Sequence, residues 1–346
     1  MQSLYALGIK RGNDLSLSEN PLGCSPLVAE KLTKNAFAFN SYPIPNGSTL
    51  KSSISSKTGC PPENIFISNG SEAIINAIPQ ILASPGDEAI IPSLTFPMFS
   101  ICSEFAGLNV QCAPMTKKLE IDLQAIQDLV TTKTKLIFIC NPNNPTGSVI
   151  SKNKLVQFFK TVPTSVVIVI DEANIEFGGE SVSNLTSRFS NLMVLRTFSK
   201  GFGLANLRIG YAIANQSIIT TLREQTPVFP ISGLSEALCS VALQDDDFIL
   251  QTKQFIDEQR KLLTDELKKL GFTVFPSEAN NLFVKLPNDL KSDAFLSMLE
   301  KADISVVTGS SFAGFDDSFF RVSPRSAKTN AIFLAAVTQL YHSAMD

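Results

Sequence analysis

The stretch RTFSKGFGLANLRIG, residues 196–210, lies between two short apolar segments, Leu192 to Leu195 and Ile209 to Ala214. We interpret these segments as buried strands because short unbroken apolar runs are typical of them. Lys200 lies among small and apolar residues, so it should be partly desolvated, which lowers the pKa of its ammonium. The stretch therefore predicts an amine that is available for Schiff-base chemistry.

Hydroxyl and guanidinium groups flank this lysine. Thr197 and Ser199 supply hydroxyls, and Arg208 supplies a cation. Guanidinium matches phosphate oxygens in a bidentate fashion and hydroxyls fill the remaining acceptors, so the set predicts phosphate binding. Taken alone, the same residues also fit a glycine-rich turn with a solvated lysine and a surface arginine. The rest of the chain has to decide between the two interpretations.

The composition indicates a folded enzyme-sized chain with small-molecule partners. Its 346 residues, 44% of them hydrophobic, can bury a large core and are enough for two domains. The net charge of -3 provides no basic field that would gather nucleic acid or an anionic membrane. The longest apolar runs are about a third of a membrane span, so we expect core strands and no membrane segment.

The cysteines and the single histidine limit the cellular compartment and the kinds of catalytic or metal site that we expect. The six cysteines contain no C-x-x-C pair, and we see no secretory leader, so we expect reduced thiols in a cytoplasmic protein. The one histidine, His342, is near the C-terminus, which excludes a multi-histidine metal site or a Ser-His-Asp triad in the body of the chain. No metal site is expected, and a cofactor is the economical source of reactivity.

A second anion-binding segment is predicted where a strand beginning at Ile65 runs through Asn-Gly-Ser into an apolar-periodic helix. A helix that begins directly after such a turn offers unpaired backbone N–H groups and the positive end of its dipole. Gly70, Ser71 and Glu72 should therefore supply main-chain donors to a phosphate. An ordinary N-cap by Ser71 is the alternative.

Two polar segments leave the ends of buried strands further along the chain. The loop NPNNPTG, residues 141–147, follows the apolar run Lys135 to Cys140, and Asp171 follows the run Val166 to Ile170. Ligands of open α/β sheets bind at the carboxyl ends of strands, so both segments are candidates for one site.

The remainder of the chain contains a Pro-rich loop and a separate C-terminal region. The loop Asn40 to Gly47 should be neither helical nor a central strand, and a helix should follow from Thr49 to Thr58. A long helix from about Asp246 to Leu270 precedes strands at Phe272 to Pro276 and Asn281 to Leu286, which suggests a smaller α/β domain. Two arginines of this region, Arg321 and Arg325, should lie on a strand and its exit.

The lysine stretch, the Asn-Pro loop and the aspartate segment together resemble class I and II pyridoxal-phosphate aminotransferases, above all the histidinol-phosphate aminotransferase branch. The resemblance runs from Asn20 to Arg321. It implies the α/β architecture called fold type I: a large cofactor domain (36–240) with a mostly parallel seven-stranded sheet, and a small α/β domain (241–346). The N-terminal arm (1–35) would contribute to the small domain, and the protein would be a homodimer with sites at the subunit interface.

The resemblance also implies roles for individual residues. Lys200 would hold pyridoxal 5'-phosphate and shuttle a proton, while Asp171 would pair with the pyridine nitrogen. The other cofactor contacts would be Asn144 and Asn174 to the phenolic oxygen, Phe96 stacked on the ring, and Gly70, Ser71, Glu72, Thr197, Ser199, Arg208 and the neighbouring subunit's Tyr42 at the phosphate. Asn20, Arg321 and Arg325 would bind the substrates, an amino donor and a 2-oxo acid.

One departure from the family leaves the reaction open. The family usually has tyrosine where this chain has Asn174, which is shorter and lacks an acidic hydroxyl. The segments 311–317 and 321–325 also resemble the C-terminal motif of threonine-phosphate decarboxylases. Histidinol-phosphate transamination with 2-oxoglutarate, decarboxylation of that kind and aromatic amino-acid transamination are the enzymatic alternatives. A catalytically silent binding module is the non-enzymatic one, and Lys200 and Asp171 argue against it.

Overall fold

A seven-stranded sheet forms the larger part of the structure, a computed structural model that describes residues 12–34 and 39–345. Its strands are β2 (Ile65–Ser68), β3 (Glu88–Pro92), β4 (Asn109–Ala113), β5 (Thr134–Cys140), β6 (Val167–Asp171), β7 (Leu192–Thr197) and β8 (Gly210–Ala214), in the order β2-β8-β7-β6-β5-β3-β4. Six of these strands run in the same direction, and β8 runs opposite to them. The mostly parallel seven-stranded sheet expected from the resemblance is confirmed.

Helices cover both faces of this sheet, which explains why its central strands are apolar without alternation. On one face, Leu136 and Phe138 of β5 pack with helices α3 and α4, and on the other Ile137 and Ile139 pack with α5 and α6. The helices of this part are α2 (Ser48–Thr58), α3 (Ser71–Leu82), α4 (Met98–Phe105), α5 (Leu123–Asp128), α6 (Lys152–Thr161), α7 (Gln216–Glu224) and α8 (Gly233–Ala242). Burial on two sides holds the strand ends in fixed positions.

A smaller antiparallel sheet lies in the C-terminal part, with the order β12-β13-β10-β9. Its strands are β9 (Thr273–Val274), β10 (Leu282–Lys285), β12 (Val307–Thr308) and β13 (Phe319–Val322), and its helices are α9 (Asp246–Lys269), α10 (Ser292–Lys301) and α11 (Ala327–Met345). The predicted domain boundary at residue 240 lies inside α8, which ends at Ala242, and it stays a prediction. Within the described part of the chain, no helix is long and apolar enough to cross a bilayer.

The N-terminal segment joins this C-terminal part. Strand β1 (Asn13–Asp14) pairs in parallel with β11 (Ile304–Ser305), and helix α1 (Pro26–Lys34) follows. Leu15, with no exposed surface, packs into the core formed by α9, α10, α11 and the small sheet. The first part of the predicted arm, residues 1–11, lies outside the described residues. The segment from Asn13 onward is therefore tied to residues that are almost 300 positions away in sequence, since Asn13 pairs with Ile304.

Two local expectations need correction. The Pro-rich loop, predicted to be non-helical, contains one 3-10 turn at Pro45–Gly47, because proline at the first helical position loses no hydrogen bond that the turn requires. The strand predicted from Phe272 to Pro276 is shorter and spans Thr273–Val274. Pro276 has no N–H to donate, so regular pairing ends before it.

We predict that Leu15→Ala lowers the free energy of unfolding by about 2–5 kcal/mol, because it leaves a cavity in the small-sheet core. Urea denaturation followed by circular dichroism measures this difference. Leu262→Ala is the matched control, since Leu262 is 41% exposed on α9 and its loss should be nearly neutral. Equal effects of the two substitutions would contradict the docking of the N-terminal segment.

Candidate functional site

The carboxyl ends of three adjacent parallel strands define the site. Cys140 at the end of β5 pairs with Asp171 at the end of β6, and Asp171 pairs with Leu195 on β7. The loop that contains Asn144 follows β5, and Lys200 follows β7. Because these strands are neighbours and run in the same direction, the loops with Asn144 and Lys200 leave the sheet at the edge where Asp171 lies.

Lys200 has the electrostatic surroundings of a reactive amine. Burial and, to a smaller extent, the cation of Arg321 lower the pKa of its ammonium to about 8, while Glu19 opposes the shift. Arg208 and Asp171 make smaller contributions of opposite sign. A pKa near 8 leaves roughly a tenth of the amine neutral at pH 7, far more than for a solvated lysine.

Asp171 is a buried carboxylate, and an adjacent cation would stabilise its charged form. It is 4% exposed, and burial raises its pKa to about 6 even though the backbone N–H of Ala173 donates to Oδ1 at 3.0 Å. Within that net value, the charge of Glu172 contributes to the rise of the pKa and that of Lys200 opposes it. Three residues on, Asn174 is buried, and its Oδ1 has no hydrogen-bond partner among the described residues. Both side chains can therefore receive polar groups of a ligand.

An anion cradle lies at the start of α3. Gly70 has φ +87°, and a Cβ placed on it would be 2.9 Å from Nη2 of Arg208, so the guanidinium lies directly against this turn. A Cβ on Gly210 would be 2.1 Å from the backbone nitrogen of Ser71, which shows how closely β8 approaches the helix start. Backbone N–H groups, the helix dipole and a guanidinium thus converge on a place suited to phosphate.

Hydroxyl groups from the lysine stretch lie beside the lysine. The Oγ1 of Thr197 accepts a hydrogen bond from the backbone N–H of Ser199 at 3.1 Å, which orders the turn before Lys200. Thr197 is 4% exposed and Ser199 is half-buried. The side chain of Glu72, by contrast, is exposed in the first turn of α3, so only its backbone is suited to bind an anion.

A small cavity, partly open to solvent, lies over Asn144 and Arg321. Its lining consists of Phe96, Pro97, Met98, Asn144, Val307, Ser311, Phe312 and Arg321. Nη1 of Arg321 donates to Oδ1 of Asn144 at 2.7 Å, and Nη2 donates to the carbonyl of Ser16. Since a guanidinium can only donate, this bond assigns the amide of Asn144 and leaves its Nδ2 to donate to a ligand.

Three predicted residues lie elsewhere in the site region or outside it. Asn20 donates from Nδ2 to the carbonyl of Gly201 at 2.9 Å, so it supports the lysine turn. Arg325 pairs with Glu19 at 3.0 Å and does not line the cavity. Tyr42 is 85% exposed and stacks on Phe229 with ring centroids 4.9 Å apart. Within this chain, no described contact joins Tyr42 to the other site residues.

Sequence reasoning missed several residues that the structure places here. Ser311 and Phe312 line the cavity, and their segment was noticed only as a resemblance. Arg196 lies in the quoted lysine stretch but received no role, although it forms a buried ionic cluster with Glu172 and Glu176. Buried charges of this kind leave no periodic pattern in sequence.

We predict that Asp171→Asn stabilises the protein, prepared without added ligand, by about 3 kcal/mol at pH 8. The fold raises the carboxyl pKa from 3.8 to about 6, so ionisation of Asp171 destabilises the folded state fully above pH 6. Below the unfolded pKa both states are protonated, and at pH 4 the gain should shrink to a fraction of a kcal/mol. Urea unfolding at the two pH values checks this, and a variant less stable than the parent at pH 8 would contradict it.

The sequence of this chain matches a known protein family and several known enzymes. A family described as aminotransferase class I and II matches residues 13–337. A histidinol-phosphate aminotransferase of Methanococcus maripaludis is 34% identical over 342 residues, 97% of this chain and 92% of that protein. An aromatic amino acid aminotransferase of Cutibacterium acnes is 34% identical over 293 residues, 83% of each chain.

The fold also matches that of a solved aminotransferase structure. The crystal structure of histidinol-phosphate aminotransferase from Sinorhizobium meliloti in complex with pyridoxal-5'-phosphate matches with a TM-score of 0.89 and 22% identity. The match covers 96% of this chain and 92% of that one. At this identity the likeness concerns the fold alone, which is fold type I.

Proposed function

This chain belongs to the class I and II aminotransferases, and from that premise we propose that it transfers the amino group between L-histidinol phosphate and 2-oxoglutarate, with pyridoxal 5'-phosphate as cofactor. The observation that carries the choice of donor is the 34% identity to a histidinol-phosphate aminotransferase over 97% of the chain. The products would be imidazole acetol phosphate and glutamate, which places the reaction in histidine biosynthesis.

The residues present fit the cofactor. The cradle of Gly70, Ser71 and Arg208 suits its phosphate, since a side chain at Gly70 would collide with the guanidinium that lies there. The buried, unpartnered Oδ1 of Asn174 can accept a hydrogen bond from a polar group of the ring, and the Nδ2 of Asn144 can donate one. Pyridoxal phosphate supplies an electron-withdrawing ring that stabilises the charge left when a bond to the substrate's α-carbon breaks.

The protein's own side chains divide the remaining work. The carboxylate of Asp171 would keep a ring nitrogen protonated, because a buried carboxylate is stabilised by an adjacent cation. The Lys200 amine would bind the cofactor covalently and later move the proton at the substrate's α-carbon, a task for which a pKa near 8 is suitable. Phe96 would form a wall against the ring face.

The cavity has the composition that such a donor requires. Phe96, Met98 and Phe312 supply apolar surface for a flat ring, while Arg321 and Ser311 supply a cation and a hydroxyl for an anionic group. Glutamate presents carboxylates and histidinol phosphate presents a phosphate, so one guanidinium can serve both half-reactions. Arg325 would contribute indirectly through Glu19, and Asn20 through the turn after Lys200.

Aromatic amino-acid transamination is the second candidate. The 34% identity to the aromatic amino acid aminotransferase of Cutibacterium acnes favours it specifically. The apolar lining of the cavity would accept a phenyl ring as well as an imidazole. The donor's phosphate separates the two candidates, because only the first reaction requires it.

The test is a donor screen with 2-oxoglutarate, scored for glutamate and for carbon dioxide, on the purified protein loaded with pyridoxal phosphate. We expect L-histidinol phosphate to exceed phenylalanine and tyrosine in kcat/KM by at least about tenfold, the worth of one charged contact. Lys200→Ala is the control and should abolish turnover while the fold persists. A faster aromatic donor would favour the second candidate, and carbon dioxide from O-phosphothreonine without a keto acid would favour a decarboxylase.

A homodimer and a cytoplasmic location belong to the same proposal. Exposed apolar side chains cluster around the Pro-rich loop, where Tyr42, Ile44, Val228 and Phe229 are 42–85% exposed. Such a surface is typical of an interface. Covering it with a second copy would allow the loop with Tyr42 to approach the partner's phosphate cradle. Six free cysteines support a reducing compartment.

We predict that mixing Lys200→Ala with Tyr42→Phe subunits restores activity, because each mixed dimer would contain one complete site. With random exchange, about a quarter of the parent activity should return, since half of the dimers are mixed and each has one working site of two. Native mass spectrometry verifies the exchange before turnover is measured. No recovery after verified exchange, or full activity of Tyr42→Phe alone, would contradict a role in trans.

A further inference from the structure

A buried ionic cluster lies behind the site. The guanidinium of Arg196 contacts two carboxylates, with Nη1 3.5 Å from Oε2 of Glu172 and Nη2 2.6 Å from Oε1 of Glu176. The three side chains are 14%, 1% and 6% exposed in that order. Ser181 Oγ and the backbone N–H of Val182 donate to Glu172 at 2.7 and 2.6 Å. The cluster is therefore shielded from solvent and firmly held on the Glu172 side.

This cluster connects the segments that bear the two central site residues. Glu172 directly follows Asp171 at the end of β6, and its backbone N–H donates to Leu195 on β7. Arg196 is on β7 shortly before Lys200. The ion pair between Arg196 and Glu172 thus connects the end of β6 to the end of β7, just before the loop that contains Lys200.

Glu176 extends the cluster to the residue after Lys200. A Cβ on Gly201 would lie 2.6 Å from Cβ and 2.7 Å from Cγ of Glu176, so the stem of this side chain packs against Gly201. On another side, Asn20 donates to the carbonyl of Gly201 at 2.9 Å. The Lys200–Gly201 peptide segment is therefore held by Glu176 and by Asn20.

The cluster is poorly suited to a purely stabilising role. Nε of Arg196 and Oε2 of Glu176 are buried without hydrogen-bond partners among the described residues. Unsatisfied buried groups cost free energy, and apolar residues of the same volume often hold two segments together at least as well as an ion pair does. A planar guanidinium that bonds two carboxylates does impose a specific geometry, which an apolar contact does not.

We propose that Arg196 and Glu176 are positioning residues that fix the Lys200 amine relative to Asp171. The proposal rests on the proposed function only in the consequence for turnover. Arg196 holds Glu176, Glu176 supports Gly201, and Gly201 fixes the turn from which the Lys200 side chain extends. Neither residue touches the substrate cavity.

The experiment compares Glu176→Met with Glu176→Gln. Methionine keeps the stem against Gly201 but cannot hold Arg196, whereas glutamine can still accept a hydrogen bond from it. For Glu176→Met we expect kcat to fall by about tenfold with KM within about twofold, as for a misplaced catalytic group. Glutamine should recover most of the loss. Asp257→Leu is the matched control, because it breaks the pairs of Asp257 with Arg260, whose side chain is also 14% exposed, and with Lys253.

A second readout is independent of the cofactor. The pH dependence of chemical labelling of the Lys200 amine, followed by mass spectrometry on the full chain without cofactor, gives its titration midpoint. We expect Glu176→Met to move this midpoint by about half a pH unit or more, since the amine leaves its present surroundings of Arg321, Glu19 and Arg208. Asp257→Leu should not move the midpoint. If the protein proved not to be an aminotransferase, this readout would still test the positioning.

Two results would overturn the proposal. One is a Glu176→Met protein with the parent's labelling midpoint and kcat, whatever its loss of stability. The other is an equal change in kcat and in the labelling midpoint for Glu176→Met and Asp257→Leu. Should Glu176→Met fail to fold, Arg196→Lys takes its place, because it keeps the positive charge but cannot bond both carboxylates at once. An unmoved midpoint in that variant would count against the proposal in the same way.

Discussion

The common direction of β5, β6 and β7 is the constraint on which the site depends. Each strand pairs in parallel with the next, so their carboxyl ends meet at one edge of the sheet. Asn144, Asp171 and Lys200 follow or end three different strands, and the sheet alone brings their segments together. Helices cover both faces, so the strands cannot shift to relieve the cost of placing charged groups at this edge. The packed sheet thus supplies a rigid frame on which the polar groups of the site are placed.

Burial then gives these groups their chemistry. The same desolvation lowers the pKa of Lys200 to about 8 and raises that of Asp171 to about 6, so each group is moved toward neutrality. Two arginines, Arg321 and Arg208, favour the neutral amine, while the opposing carboxylates of Glu19 and Asp171 keep the shift moderate. A proton can therefore leave or return to the lysine near neutral pH at little cost in free energy, as a general base requires.

Local sequence could predict those features whose cause is local. The apolar runs predicted the strands, and the Asn-Pro loop and the lysine stretch predicted where a ligand would be held, since prolines restrict the backbone and glycines permit conformations that other residues avoid. The partners of charged residues could not be predicted in this way. Arg325 pairs with Glu19, and Tyr42 stacks on Phe229. The partners in each pair are far apart in sequence, so neither pairing follows from spacing or periodicity. Sequence reasoning missed the cluster of Arg196 with Glu176 for the same reason.

Arg321 connects the small sheet to the large sheet at the cavity that it lines together with Asn144. It extends from β13 of the small sheet, donates to Asn144 in the loop after β5 of the large sheet, and donates to the Ser16 carbonyl in the N-terminal segment. Because guanidinium donors are limited in number and direction, an anion bound to Arg321 must share or replace these bonds. Any change in them alters how Asn144 is held and how the small sheet lies on the large one. By thermodynamic linkage, the hold on Asn144 must in turn influence the affinity for the anion. The binding of an anion at Arg321 would therefore be coupled to the geometry at the strand ends through this one side chain.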